Sequence, residues 1–194
     1  VVTINGNVSD AQDFDGTDDY VDLGSDSSLD LRSSNFTIEA WIYPTTQTVA
    51  WPTIYAVGTW EISLGIGQDT NTDKLETWVN DNDDYASDSD VTYNAWNHVV
   101  LSWNGTHYNF FIDGVADGSR SGSAYPDTGT TYIGGIPPWE DEDCFNGTID
   151  EVRVSNTSRA SSWIKTCSES GRDDLVDFGG EDTYTNWLNI TNNA

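Results

Sequence analysis

Apolar and polar residues alternate with a period of two along most of the chain, and only one segment carries the wider spacing of a helix. In "FTIEAWIYP", Phe36, Ile38, Ala40 and Ile42 alternate with Thr37, Glu39, Trp41 and Tyr43 before Pro44 ends the run, which predicts a strand with large residues on both faces. "AWNHVVLSWNGTHYNFFIDGVADG" predicts three consecutive strands, with Asn104-Gly105 and Asp113-Gly114 where two-residue hairpin turns prefer such pairs. "TYIGGI" and "NGTIDEVRVSN" add two more strands bounded by glycine turns, so the whole reads as an antiparallel meander. "TSRASSWIKTCSES" is the one short helical turn, with Thr157 or Ser158 as its cap and Trp163 and Ile164 docking it. An all-β domain of this kind closes into a sandwich or a barrel.

Composition narrows the setting. The 194 residues suit one core with tails. Seven Lys and Arg against 33 Asp and Glu give a formal charge of -26, which repels nucleic acid and anionic membrane surfaces. Nine Trp, nine Tyr and six Phe supply the burial that equally charged disordered chains lack. The acids are spread along the chain and lysine is reduced to Lys74 and Lys165, a pattern suited to high salt, where screening removes self-repulsion, or to uptake of divalent cations. No apolar run approaches a membrane span and no leader is recognisable, while the start at Val1 without any methionine is expected from processing or trimming after secretion. Six N-x-[ST] sequons, at Asn7, Asn35, Asn104, Asn146, Asn156 and Asn189, likewise point outside the cell as glycosylation sites. Cys144 and Cys167 either close one disulfide or are two unrelated reduced thiols.

Five segments, "FDGTDDYVDLG", "SLDLRSSNFTIEAWIYP", "WNHVVLSWNGTHYNFFIDGV", "YIGG" and "FNGTIDEVRVSN", resemble in content and order the laminin-G-like branch of the concanavalin A-like lectin/glucanase superfamily, over roughly residues 11–165. The ending "IDEVRVSNTSRASSWIKT" is similar to the version found in large archaeal and bacterial cell-surface proteins. The resemblance implies a two-sheet antiparallel jelly-roll sandwich with one curved, partly open face. The expected division is an arm over residues 1–10, the sandwich over 11–170 and a C-terminal extension over 171–194. Within the first motif, Val21 and Leu23 read as core-facing and Asp22 as solvent-facing.

Chemistry follows from what these segments contain and lack. The E-x-D-x-E arrangement that superfamily glycanases resemble one another in carrying is absent, and His98, read as a core histidine, and His107 are the two imidazoles, so no catalysis is expected. Asp/Gly loops offer the oxygens that calcium prefers. The resemblance implies a structural Ca²⁺ held by Asp15, the Gly16 carbonyl, Asp18 or Asp19, and Asp150, against the alternative that these acids cap turns and face solvent. "DTNTDKLE", "NDNDDYASDSD" and "WEDEDC" are weaker acidic matches. For sugars, which need an aromatic platform beside polar groups, the candidates are Trp139, then Trp78 on the open face, with Trp60 and Trp51 near turns. Trp41, Trp96 and Trp103 sit in strand patterns and read as core.

Two functions fit. The first is a secreted adhesion module that binds glycans or surface proteins and carries structural calcium. The second is a self-assembling subunit of a filament, surface layer or virion, built through the arms "VVTINGNVSD" and "LVDFGGEDTYTNWLNITNNA" on neighbouring copies.

Overall fold

A computed structural model describes residues 2–7, 10–32, 35–47, 51–58, 62–67, 73–79, 83–124, 129–137 and 143–172. Within them thirteen strands form two sheets. The seven-stranded sheet runs β1 (Val2–Asn5), β2 (Asp10–Asp15), β13 (Asn146–Ser155), β4 (Phe36–Pro44), β9 (Asn97–Trp103), β10 (His107–Ile112) and β11 (Val115–Ser121). The six-stranded sheet runs β3 (Val21–Gly24), β12 (Thr131–Ile133), β5 (Thr53–Val57), β6 (Ile62–Ile66), β7 (Lys74–Val79) and β8 (Asp83–Asp90). Neighbours in both sheets pair antiparallel, as the jelly-roll expectation requires.

The alternation in β4 works as the pattern predicts. Phe36, Ile38, Ala40 and Ile42 enter the core between the sheets with Leu64, Val79, Leu101 and Phe110. Each such side chain contributes about 1.5–3 kcal/mol through burial. The sheets are joined by stacked rings: Tyr108 of β10 lies 4.4 Å from Trp103 and 5.2 Å from Tyr85 of β8, centroid to centroid. Trp103 is core, as expected. The Asp113-Gly114 turn closes with both residues at positive φ, 56° and 78°, directly between the paired Ile112 and Val115. Asn104-Gly105 belongs instead to a three-residue loop, in which the Asn104 side chain accepts from the amides of Thr106 and His107.

The other face of β4 is also buried, because a helix covers it. Helix α1 (Ser161–Gly171) seats Ile164 and Trp163 on Val100 and Phe111, and Gly171 lies so close to the Trp41 ring that a Cβ would overlap it. Trp41 and His98 are therefore buried beneath a helix rather than between sheets. The helix is longer than the single turn expected, and Ala160 caps it without a side-chain bond. Thr157 and Ser158 are occupied elsewhere: the Thr157 carbonyl accepts from Thr37 Oγ1 at 2.9 Å, and Ser158 Oγ lies 2.9 Å from Ser102 Oγ.

Edges differ. On one side β8 and β11 meet, through Arg120 to Asp88 at 2.6 Å and Ser89 to Asp117 at 2.8 Å. On the other side the sheets splay, so Leu23 is 41% exposed, against the expectation that it faces the core, whereas the half-buried Val21 packs on the core as expected. The N-terminal arm lies in cis, with β1 pairing to β2 from Val2↔Asp13 to Asn5↔Asp10. Residues 173–194 lie outside the described residues.

Candidate functional site

The outer face of the six-stranded sheet follows from alternation. Val57, Ile62, Leu64, Leu75 and Val79 enter the core, so Ala56, Ser63, Glu76 and Trp78 project to the opposite face. Register aligns them in one row across the sheet: Asp22 opposite Tyr132, Tyr132 opposite Ala56, Ala56 opposite Ser63, Ser63 opposite Trp78. Small side chains in the middle thus separate two large aromatic ones. Three strand intervals place Tyr132 and Trp78 about 14 Å apart. Tyr20 meets Tyr132 edge-on at 6.0 Å and 83°, and the exposed Asp22 stands beside them, its carboxylate fixed by the Gly24 amide at 2.7 Å. Trp78 and Tyr132 are half-buried, whereas Ala56 and Ser63 between them, and Glu76, are shut off from solvent. Among the described residues, no helix covers this face.

Trp78 therefore stands on the face where the sequence places it. Tyr132 and Tyr20 were not among the candidates, although the alternation of "TYI", with Thr131 and Ile133 turned inward, already turns Tyr132 outward. Trp139 and Trp60 lie outside the described residues. Trp51 is half-buried, and Trp96 packs edge-on against Tyr43 at 5.7 Å.

The five calcium candidates do not converge. Asp15 sits opposite Asn146, and Asp150 lies four residues further along β13, about 13 Å away at ordinary strand rise. Asp150 is buried against Gly6, where a Cβ would overlap its carboxylate, and its Oδ1 accepts from the Glu151 amide at 2.8 Å. The loop acids behave as turn caps: Asp15 Oδ1 accepts from the Thr17 amide at 2.8 Å and Asp19 accepts from the Asp15 amide at 3.2 Å. Gly16 occupies φ +75° against the Asn146 side chain, and Asp18 is exposed. Among the described residues no group of three or more His, Cys, Asp or Glu is placed to hold a metal ion.

Cys144 and Cys167 are not bonded to each other, so of the two readings offered for them the disulfide is the one corrected. Cys144 bridges to Thr53 of the six-stranded sheet, while Cys167 lies on α1, over the outer face of the other sheet. Of the sequons, Asn35, Asn104 and Asn156 are exposed. Asn104 caps its loop, Asn7 donates to the Gly171 carbonyl at 2.8 Å, and Asn146 is held by Thr45 at 2.8 Å and Thr46 at 3.1 Å. Asn189 falls outside the described residues.

A further polar cluster went unnoticed in the sequence. Glu39, 2% exposed, lies beneath α1 with Oε1 2.9 Å from Arg153 Nε and Oε2 3.5 Å from His98 Nε2. Its polar face position in β4 was legible, but its partners come from strands distant in sequence.

Residues 15–165 match the Laminin_G_3 family, and the chain belongs to the Concanavalin A-like lectin/glucanases superfamily. None of the curated proteins matches it significantly. Among solved structures it is similar to a Bacteroides ovatus protein inferred to bind carbohydrate, with TM-score 0.66, 23% identity, and coverage of 80% of this chain but 45% of the other. The chain thus spans less than half of that protein. It is similar to domain 4 of an extracellular arabinanase from Geobacillus stearothermophilus, in complex with arabinotriose, with TM-score 0.68, 18% identity, and coverage of 86% and 80% of the two chains. It also resembles the CBM40 domain of a Ruminococcus gnavus IT-sialidase bound to α2,3 sialyllactose, with TM-score 0.66, 13% identity, and coverage of 81% and 96%.

Proposed function

We propose that this domain is a non-catalytic glycan-binding module for adhesion at a cell surface. The observation that carries the reading is the row from Asp22 through Tyr132, Ala56 and Ser63 to Trp78, which offers two aromatic platforms and an acceptor for sugar hydroxyls on one face. Its span suits a short oligosaccharide. Two of the similar structures are complexes with oligosaccharides, which supports the ligand class. The secreted setting rests on the exposed sequon residues Asn35, Asn104 and Asn156. Calcium enters only through the Asp15–Asp19 loop, and a chelator that leaves the thermal midpoint unchanged removes it from the account. The assembly reading finds less support, since the N-terminal arm is already paired with β2.

A glycan array probed with the native domain and with Trp78→Ala tests the proposal. Binding reduced at least tenfold by the substitution is expected. Binding to no glycan, or equal binding by the variant, rejects it.

A further inference from the structure

We infer that the splayed edge of the sandwich, between the sheets beside β2 and β3, binds a linear alkylammonium group: a hydrocarbon stem ending in a primary amine. A cavity of about 290 Å³ occupies this edge, lined by apolar side chains of both sheets, among them Phe14, Ile133, Ile149 and Val152, and by the acidic residues Asp10, Asp150 and Glu151. At about 30 Å³ per water, this is room for roughly ten waters, enough for a six-carbon stem. It is separate from the proposed glycan row, which lies on the outer side of the six-stranded sheet.

The placement of the acids follows from the strands. In β2, Phe14 enters the core and Gln12 pairs with Ile149, so a period of two turns Asp10 toward the same inter-sheet space. Among the described residues no lysine or arginine lines the cavity, and none of the ion pairs involves Asp10 or Glu151. A carboxylate ligand would meet like charge there, and a neutral hydrocarbon would leave both acids without a counterion. An amine on an apolar stem satisfies both parts of the lining.

The backbone supplies an independent observation. The register of β13 against β4 shifts between Asp150 and Arg153, and Glu151, inside that bulge, has φ +49°. Among the described residues two other non-glycine residues share a positive φ, Asn94 and Asp113, and both are of types that tolerate it in turns. Glu151 is neither an Asn nor an Asp and lies in a strand. Bulges re-aim side chains, and strain of this kind gathers at ligand sites.

The experiment is a titration of the intact domain with hexylammonium, Nα-acetyl-lysine N-methylamide, hexanol and hexanoate, followed by the methyl resonances of Ile133, Ile149 and Val152. Hexylammonium is expected to shift all three, hexanol to bind about tenfold more weakly, and hexanoate not to bind. The lysine derivative, whose four-carbon stem ends in the same primary amine, is expected to bind as well, and its failure to bind counts against the inference. Glu151→Gln should weaken the amine about tenfold and leave hexanol unchanged. Glu151→Gly, which relieves the positive φ, should weaken the amine while the thermal midpoint holds or rises, separating lost recognition from lost fold. Equal affinity for hexanol and hexylammonium, an unaltered amine affinity in Glu151→Gln, or an absence of shifts at these methyls overturns the inference.

Discussion

Replacing Arg153 with alanine leaves the Glu39 carboxylate in a site 2% exposed to solvent, with His98 Nε2 at 3.5 Å as its remaining close ionic contact among the described residues. Breaking a buried pair from one side costs about 3–5 kcal/mol, because the remaining charge is kept from water without its partner. Arg153 itself is 43% exposed, so part of its charge is already solvated, and the low end, about 3 kcal/mol, is expected. Glu39→Gln is different in kind. It removes the buried charge and keeps an oxygen beside Arg153 Nε, so its cost should be about 1 kcal/mol. The difference of about 2 kcal/mol corresponds to roughly 4–8 °C in thermal midpoint for a domain of this size. Urea denaturation reads it directly as a shift in midpoint at constant slope. Equal costs, or a larger loss in Glu39→Gln, refute the claim that Glu39 is a charged group held by Arg153 beneath α1.

Other consequences are simpler. Burial pushes the Tyr55 hydroxyl up to about 12, with Thr131 opposing, so stability from this group is complete below about pH 10 and falls as pH rises toward 12. Tyr55→Phe should flatten that alkaline loss, and an unchanged pH profile counts against it. Gly134 has φ +84° and its Cβ would overlap the Phe14 ring, so Gly134→Ala should destabilise by about 3 kcal/mol or more, measured by thermal unfolding. The native protein should show slow thiol labelling at Cys167, whose pKa is raised mainly by burial, and none at Cys144 until unfolding; a midpoint lowered by reductant would indicate a disulfide after all.

How much of this was legible in the sequence depended on distance along the chain. Strands β4, β9, β10 and β11 were readable because alternation and turn residues are local signals, and Asp113-Gly114 occupies its hairpin as predicted. The sandwich came from the order of motifs. What the chain did not disclose is which face of each strand another element covers. Glu39 lies on the polar side of the β4 alternation and Trp41 reads as core, yet it is α1, more than 100 positions later, that buries both. The acids of "FDGTDDYVDLG" looked continuous with Asp150, but strand register, which no local pattern specifies, separates them. Cys144 and Cys167 are near in sequence and lie on opposite sides of the seven-stranded sheet. Tyr132 was available from alternation, and attention to tryptophan alone passed it by.

The central claim is that sugars bind the outer face of the six-stranded sheet. Backbone chemical-shift mapping with a glycan selected on the array tests it most directly. The account predicts shifts concentrated at Tyr132, Ala56, Ser63 and Trp78, with α1 silent. Shifts confined to the α1 side, or to the splayed edge between the sheets, would contradict it.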